Sequence, residues 1–175
     1  MRDLGIIKLP YRGAPTTVSA IRTAALQAQE HYLVRQLAER ICGDLRPKDY
    51  VSEALANFHF LICNTRYMRD PRTIELVRAP WVVAEEIFEG RIPQLDCDDL
   101  VALLTALNLM TGAQSRVVTV AFQHLFHKGM RQYTHVFSQV REPRTGAFLT
   151  LDLVTPYNTK AMLGRAVAFK IWPVA

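Results

Sequence analysis

A chain of 175 residues, half of them apolar and about a fifth charged, is long enough to fold as one domain around a real core. Its formal charge of +5 is spread over scattered arginines rather than gathered into the basic, aromatic-laced stripe of a nucleic-acid surface. No apolar run reaches the roughly 20 residues of a membrane span. Three cysteines in no framework spacing argue against a disulfide scaffold and for a reducing compartment. Met1 to Gly5 lacks the basic and apolar regions of a signal peptide, so the expected location is the cytoplasm.

In chain order, Ile6-Ile7-Lys8-Leu9-Pro10 reads as a short edge strand or extended arm. Pro15 and Thr16-Thr17 then open one long helix that runs to about Ile41 and stops at Gly43, on its alanines and the spacing of Leu33, Leu37 and Ile41. A second helix starts near Asp49, with Val51, Leu55, Phe58 and Ile62 on one face. Arg66 to Pro71 is a connector, and Pro80 suits the first turn of a third helix from Trp81 to Gly90.

The fourth helix follows Gln94-Leu95-Asp96-Cys97-Asp98-Asp99-Leu100 and is apolar almost all round, so it is expected to be buried on most sides until Gly112 ends it. The period then becomes strand-like, at Val117 to Phe122, Tyr133 to Val140, Phe148 to Val154 and Val167 to Ile171. Helices followed by strands predict an α+β domain, with an antiparallel sheet against the buried helix.

Cys97 is the residue with the most chemistry around it. Asp96 is placed as N-cap and Asp99 three residues later as its capping-box partner, which puts Cys97 at the first helical position beside free N–H groups. Those N–H groups favour a thiolate, but Asp96, Asp98 and Asp99 oppose one, so the sulfur needs a histidine partner.

His135 fills that role. A four-residue loop Glu142-Pro143-Arg144-Thr145, closed by Arg141 and Gly146, sets His135 directly opposite Asp152, with Cβ atoms about 4.5–5.5 Å apart. His135 would then take the thiol proton and Asp152 would orient its ring. The Cys97 N–H and a side-chain donor would hold the oxyanion, with Gln94, the Trp81 indole and the Tyr67 hydroxyl as candidates.

Each residue has a plainer reading as well: a buried cysteine as a small hydrophobe, His135 as a core histidine, Asp152 as a turn residue. Cys42 and Cys63, late in helical segments without acid–base partners, take the plain reading. His124 and His127 match no common zinc spacing, so no metal and no other cofactor is expected. They lie in Gln123 to Gln132, which reads as an exposed loop or short helix.

Arg78-Ala79-Pro80, Asp96-Cys97-Asp98-Asp99 with its leucine-rich helix, Gly112, Ser115 to Val118, Thr134-His135-Val136 and Leu151-Asp152 together resemble the transglutaminase-like cysteine peptidase superfamily. The likeness covers about residues 65 to 155 and is greatest to the small, single-domain members of tailed phages and prophages. Gln94-Leu95 stand where a glycine often precedes the Asp-Cys pair.

The resemblance implies a papain-like α+β core at 65–175, a Cys97, His135, Asp152 triad acting on amide bonds through a thioester, and a protein or peptide substrate. It leaves 1–64 as an arm and added helices of the single domain. It also implies a bacterial host cytoplasm or a virion as the setting. The alternative is an inactive member that serves in tail or virion assembly, binding phage structural proteins through Ile6-Ile7 and Ala168 to Trp172.

Overall fold

The computed structural model describes residues 5–9, 13–70, 76–122 and 133–174. His124 and His127 therefore lie outside the described residues, as does all of Gln123 to Gln132. Strand β1 (Ile6–Lys8) is followed by helices α1 (Ala14–Ala28), α2 (Tyr32–Cys42) and α3 (Tyr50–Asn64). Next come β2 (Arg66–Tyr67), β3 (Leu76–Arg78), α4 (Pro80–Phe88), β4 (Gln94–Leu95) and α5 (Cys97–Met110). The chain continues through β5 (Ser115–Phe122), β6 (His135–Arg141), β7 (Phe148–Leu151), α6 (Thr159–Leu163) and β8 (Ala166–Pro173).

The architecture is α+β. Helix α5 is buried from Asp98 to Asn108 and lies between the other helices and an antiparallel sheet of order β7-β6-β5-β8. Its apolar circumference is what permits that position, because every face meets another element. Leu103, Leu104 and Leu107 pack with Leu37, Leu61, Val83 and Val140 in one core cluster. Val101 and Ala102 join Ile21, Val117 and Val136 in a second. Residues of α1, α2 and α3 thus share their core with α5 and the sheet.

The single long helix expected from residue 16 to 41 is two helices. The chain turns at Gln29 and Glu30, and His31 caps α2 by accepting the Leu33 N–H at its Nδ1, 3.3 Å away. No glycine or proline marks the break. Separate packing of α1 and α2 on α5 outweighs the helix preference of Ala28-Gln29-Glu30, which propensity alone would have extended.

The connector from Arg66 contains β2, which pairs in parallel with β4, Arg66 opposite Gln94 and Tyr67 opposite Leu95. Strand β1 pairs with β3. At its start, Gly5 has φ of +57°, and an added Cβ would lie 2.5 Å from a Val82 methyl, so only glycine lets the arm approach α4 this closely.

The β6–β7 hairpin also departs from expectation. Ser138 pairs with Leu151 and Arg141 with Phe148, so Phe137 rather than His135 is level with Asp152. Glu142 N–H donates to Ala147 O at 2.8 Å, which makes Pro143-Arg144-Thr145-Gly146 the loop. Two forces set this register. Gly146 takes the left-handed conformation (φ +71°), and the Glu142 carboxylate accepts the N–H groups of Arg144 and Thr145 at 2.9 and 2.7 Å. A shift of two residues leaves every side chain on its expected face.

Candidate active site

Asp96 caps α5 as its position predicts: one carboxylate oxygen accepts the N–H groups of Asp98 and Asp99, at 3.0 and 3.1 Å. The expected reciprocal partner is largely diverted. Asp99 accepts the backbone N–H of Arg78 at 2.7 Å and so ties β3 to the start of the helix, while the Asp96 N–H is a weaker donor to it. Cys97 is half-buried on this first turn and packs against the cluster of Val101, Val117 and Val136.

Of the three carboxyl groups around the sulfur, Asp98 accepts a weak bond from the thiol at 3.5 Å, and the other two are drawn toward the neutral form. Burial first, then the nearby Asp99 and Asp70 charges, pushes Asp96 up to about 7, against the pull of its two N–H bonds. Burial pushes Asp99 up to about 6, while the Arg78 N–H and guanidinium draw it down. Asp96 is thus drawn toward its neutral form, which weakens the repulsion of a thiolate that the sequence implies.

His135 opens β6, and its ring stands 6.3 Å from that of Phe137 on the same sheet face. Its Nε2 is 2.9 Å from Asp152 Oδ2. The sequence reasoning brings these two side chains together, and the structure does so on the diagonal rather than directly across the ladder. Burial raises the Asp152 carboxyl, but hydrogen bonds from His135, Thr155 and the Val154 backbone outweigh it and leave the group below the usual range. A carboxylate can only accept, so Nε2 carries the proton of that bond and Nδ1 is the nitrogen left to act as base.

Asp152 is itself held rigidly. It is 1% exposed, and its Oδ1 accepts the N–H groups of Val154 and Thr155 at 3.0 and 3.3 Å. Oδ2 accepts the Thr155 hydroxyl at 2.7 Å beside the His135 bond.

Helix α5 and strand β6 run in the same direction. Val101 shares a cluster with Val136, the Thr105 and Ser138 hydroxyls meet at 3.3 Å, and Leu107 shares a cluster with Val140. One turn before Val101, Cys97 thus stands toward the end of the sheet where His135 and Asp152 meet.

The three oxyanion candidates fare differently. Tyr67 is drawn close to the thiol by the β2–β4 pairing: burial pushes its phenol up, a hydrogen bond with Arg69 pulls it down, and the charges of Cys97 and Asp96 push it up again. Gln94 is exposed on β4, opposite Arg66. Trp81 is engaged with His31, stacked at 5.4 Å, and its indole nitrogen lies against Gly5.

Cys42 donates weakly to Glu53 O and Asn57 Oδ1, and burial together with the Glu53 charge pushes its thiol up to about 11, so it is inert at neutral pH. Cys63 is exposed near the end of α3. As for metals, among the described residues Asp96, Cys97 and Asp98 bring one ligand atom each within 4.8 Å of one another. All three come from a single turn, and Asp96 already spends one oxygen on the helix cap.

No protein-family model matches the chain, and no curated protein does. A solved structure shares its fold. The chain is similar to a candidate protease from Parabacteroides distasonis, with a TM-score of 0.51 and 13% identity over 87% of this chain and 31% of that one. It also aligns with a candidate cysteine protease from Cytophaga hutchinsonii, with a TM-score of 0.48 and 14% identity over 80% of this chain and 46% of the other. The chain thus spans about a third of the first protein and under half of the second. At such identities the likeness is one of fold.

Proposed function

We propose that the protein is a transglutaminase-like cysteine hydrolase, a peptidase or amidase, in which Cys97 is the nucleophile, His135 the base and Asp152 the group that orients His135. The observation that carries this reading is the 2.9 Å bond from His135 Nε2 to a wholly buried Asp152, at the sheet end where α5 presents Cys97. A histidine held by a buried carboxylate is pre-organised in one tautomer, which is what a general base for a thiol requires. The fold shared with a candidate protease supports the same class.

In this mechanism His135 Nδ1 takes the Cys97 proton, and the thiolate attacks the amide carbonyl. The oxyanion is held by the Cys97 N–H and the Tyr67 hydroxyl, the side-chain donor that feels the Cys97 charge. Collapse breaks the C–N bond, the imidazolium gives its proton to the leaving amine, and a thioester remains on Cys97. Water, deprotonated by His135, then releases the acid and restores the thiol.

The test is alkylation by iodoacetamide at neutral pH, read by mass spectrometry at each cysteine. Cys97 is expected to react ahead of Cys42 and Cys63, and to lose that lead in His135→Ala. Equal, slow reaction at all three sites would overturn the proposal.

A second reading, a binding or assembly protein, draws on the exposure of Ile6, Val167, Phe169 and Ile171, 44–52% each. Only part of the two terminal stretches is available to a partner, because Ile7 and Trp172 pack into the protein's own core. A Cys97→Ala variant that retains full biological function would favour this reading over catalysis.

A further inference from the structure

One cation that feels the charge of the Cys97 sulfur, Arg69, has no role in the chemistry described so far. Strands β2 and β4 are parallel, with Arg66 opposite Gln94 and Tyr67 opposite Leu95. Backbone bonds fix that register: Arg66 N–H to Pro93 O at 2.9 Å and Met68 N–H to Leu95 O at 2.8 Å. The ladder ends there, because Asp96 caps α5 and Cys97 is its first residue, so the chain leaving β2 at Met68 runs beside the residues that lead into that helix. Arg69, two residues after Tyr67, reaches that phenol and feels the charge of the thiol.

Arg69 is exposed, and its guanidinium is hydrogen-bonded to the Tyr67 phenol and feels the Cys97 charge. Among the described residues no carboxylate forms an ion pair with it, whereas Arg78 and Arg91 are each paired with Glu86. The phenol occupies one of several N–H donors. The planar fork that recognises carboxylates remains available to a ligand.

We propose that Arg69 is a specificity-determining residue that receives a substrate carboxylate, so that the site takes peptides or amides with a carboxylate close to the bond attacked by Cys97. This deepens the cysteine-hydrolase reading and rests on it. The carboxylate is either the free end of a peptide or an acidic side chain; both offer the same two oxygens. Tyr67 has two functions in this arrangement: it steadies the guanidinium and stands beside the carbonyl under attack.

A pair of small reagents tests it on the full chain. Iodoacetate and iodoacetamide transfer to sulfur by the same displacement of iodide, and differ in that iodoacetate carries the carboxylate. The ratio of their rates at Cys97, normalised to glutathione, reports attraction for that carboxylate. Any effect of Arg69 on the thiol's own reactivity cancels in the ratio.

Unit charges some 6 Å apart in water attract enough for about a threefold change, and more in a drier cleft. The ratio is expected to fall at least that far in Arg69→Gln, to be largely kept in Arg69→Lys, and to fall with added salt. Rapid reaction of Cys97 with an unchanged ratio in Arg69→Gln would overturn this inference and leave the hydrolase reading standing. Reaction of Cys97 no faster than that of Cys63 would overturn both.

The source of the carboxylate is separated by protection against iodoacetamide. N-acetyl dipeptides with a free terminus are compared with amidated dipeptides that carry a glutamate side chain. Protection by one set, lost in Arg69→Gln, names the class, and protection by neither overturns the substrate assignment.

Discussion

Replacing Asp152 by asparagine keeps the size of the side chain and removes its charge. Asparagine can still offer a carbonyl oxygen to the N–H groups of Val154 and Thr155, which Oδ1 accepts in the native protein. At the other position a carboxylate oxygen that accepts from His135 at 2.9 Å and from the Thr155 hydroxyl at 2.7 Å becomes an NH2 donor. The hydroxyl can rotate to accept, whereas His135 must give up its tautomer or the bond. A buried hydrogen bond to a charged group contributes about 1.5–3 kcal/mol, so the expected loss is about 2 kcal/mol at neutral pH. For a chain of this length that is a fall in Tm of about 4–8 °C.

The pH dependence has a definite sign. The folded-state pKa of Asp152 is depressed, so its contribution is complete above the unfolded value of about 3.9 and is lost as pH falls through the folded one. Urea unfolding of both proteins, at neutral pH and again in steps below pH 4, should show the wild-type advantage shrinking only in the acid range. An Asp152→Asn protein as stable as wild type at neutral pH would refute the assignment of that charge to the hydrogen-bond set. So would a stability gap that persists unchanged into acid. Iodoacetamide reactivity of Cys97 should fall in the same variant, because the imidazole loses its orienting partner.

Asp96 titrates in the opposite sense. Its folded pKa of about 7 is raised, so the fold is favoured below the unfolded value near 3.9 and loses that advantage as pH rises through about 7. Urea midpoints should fall between pH 5 and 7.5, and Asp96→Asn, which still caps, should flatten that slope; Asp96→Ala should instead lose about 1 kcal/mol of capping. Glycine substitutions offer a control on local geometry. Gly90→Ala, at φ +76° with open space around the added methyl, should cost about 1 kcal/mol by backbone conformation alone. Gly5→Ala should cost clearly more, since its methyl also meets Val82 and Ala79, and calorimetry of the two variants would show equal Tm values if that contact were relieved freely.

What the sequence reveals is what local physics decides. The Asp96 cap, the proline at the start of α4, the all-apolar α5 and the β-branched strands each follow from a few neighbouring residues, and each stands where expected. The break at Gln29 to His31 is hidden because tertiary packing, not a breaker residue, ends α1. The hairpin register slips by two because Gly146 and the Glu142 carboxylate select the loop, yet His135 and Asp152 still meet, since an even shift preserves the face. Arg69 reads in the sequence as one scattered arginine among many. Its place beside the thiol depends on a two-residue parallel pairing between segments 28 positions apart, and so short a pairing has no sequence signature. The diversion of Asp99 to Arg78 is missed for the same reason.

The two oxygens of Asp152 also tie β6 to the segment that follows β7. Helix α6 is fastened to the turn below it by the Thr159 hydroxyl, which donates to Thr155 O at 2.8 Å, and Thr155 in turn grips Asp152, which grips the imidazole. The orientation of one ring is thus anchored, through three hydrogen bonds, in a helix that begins seven residues beyond Asp152.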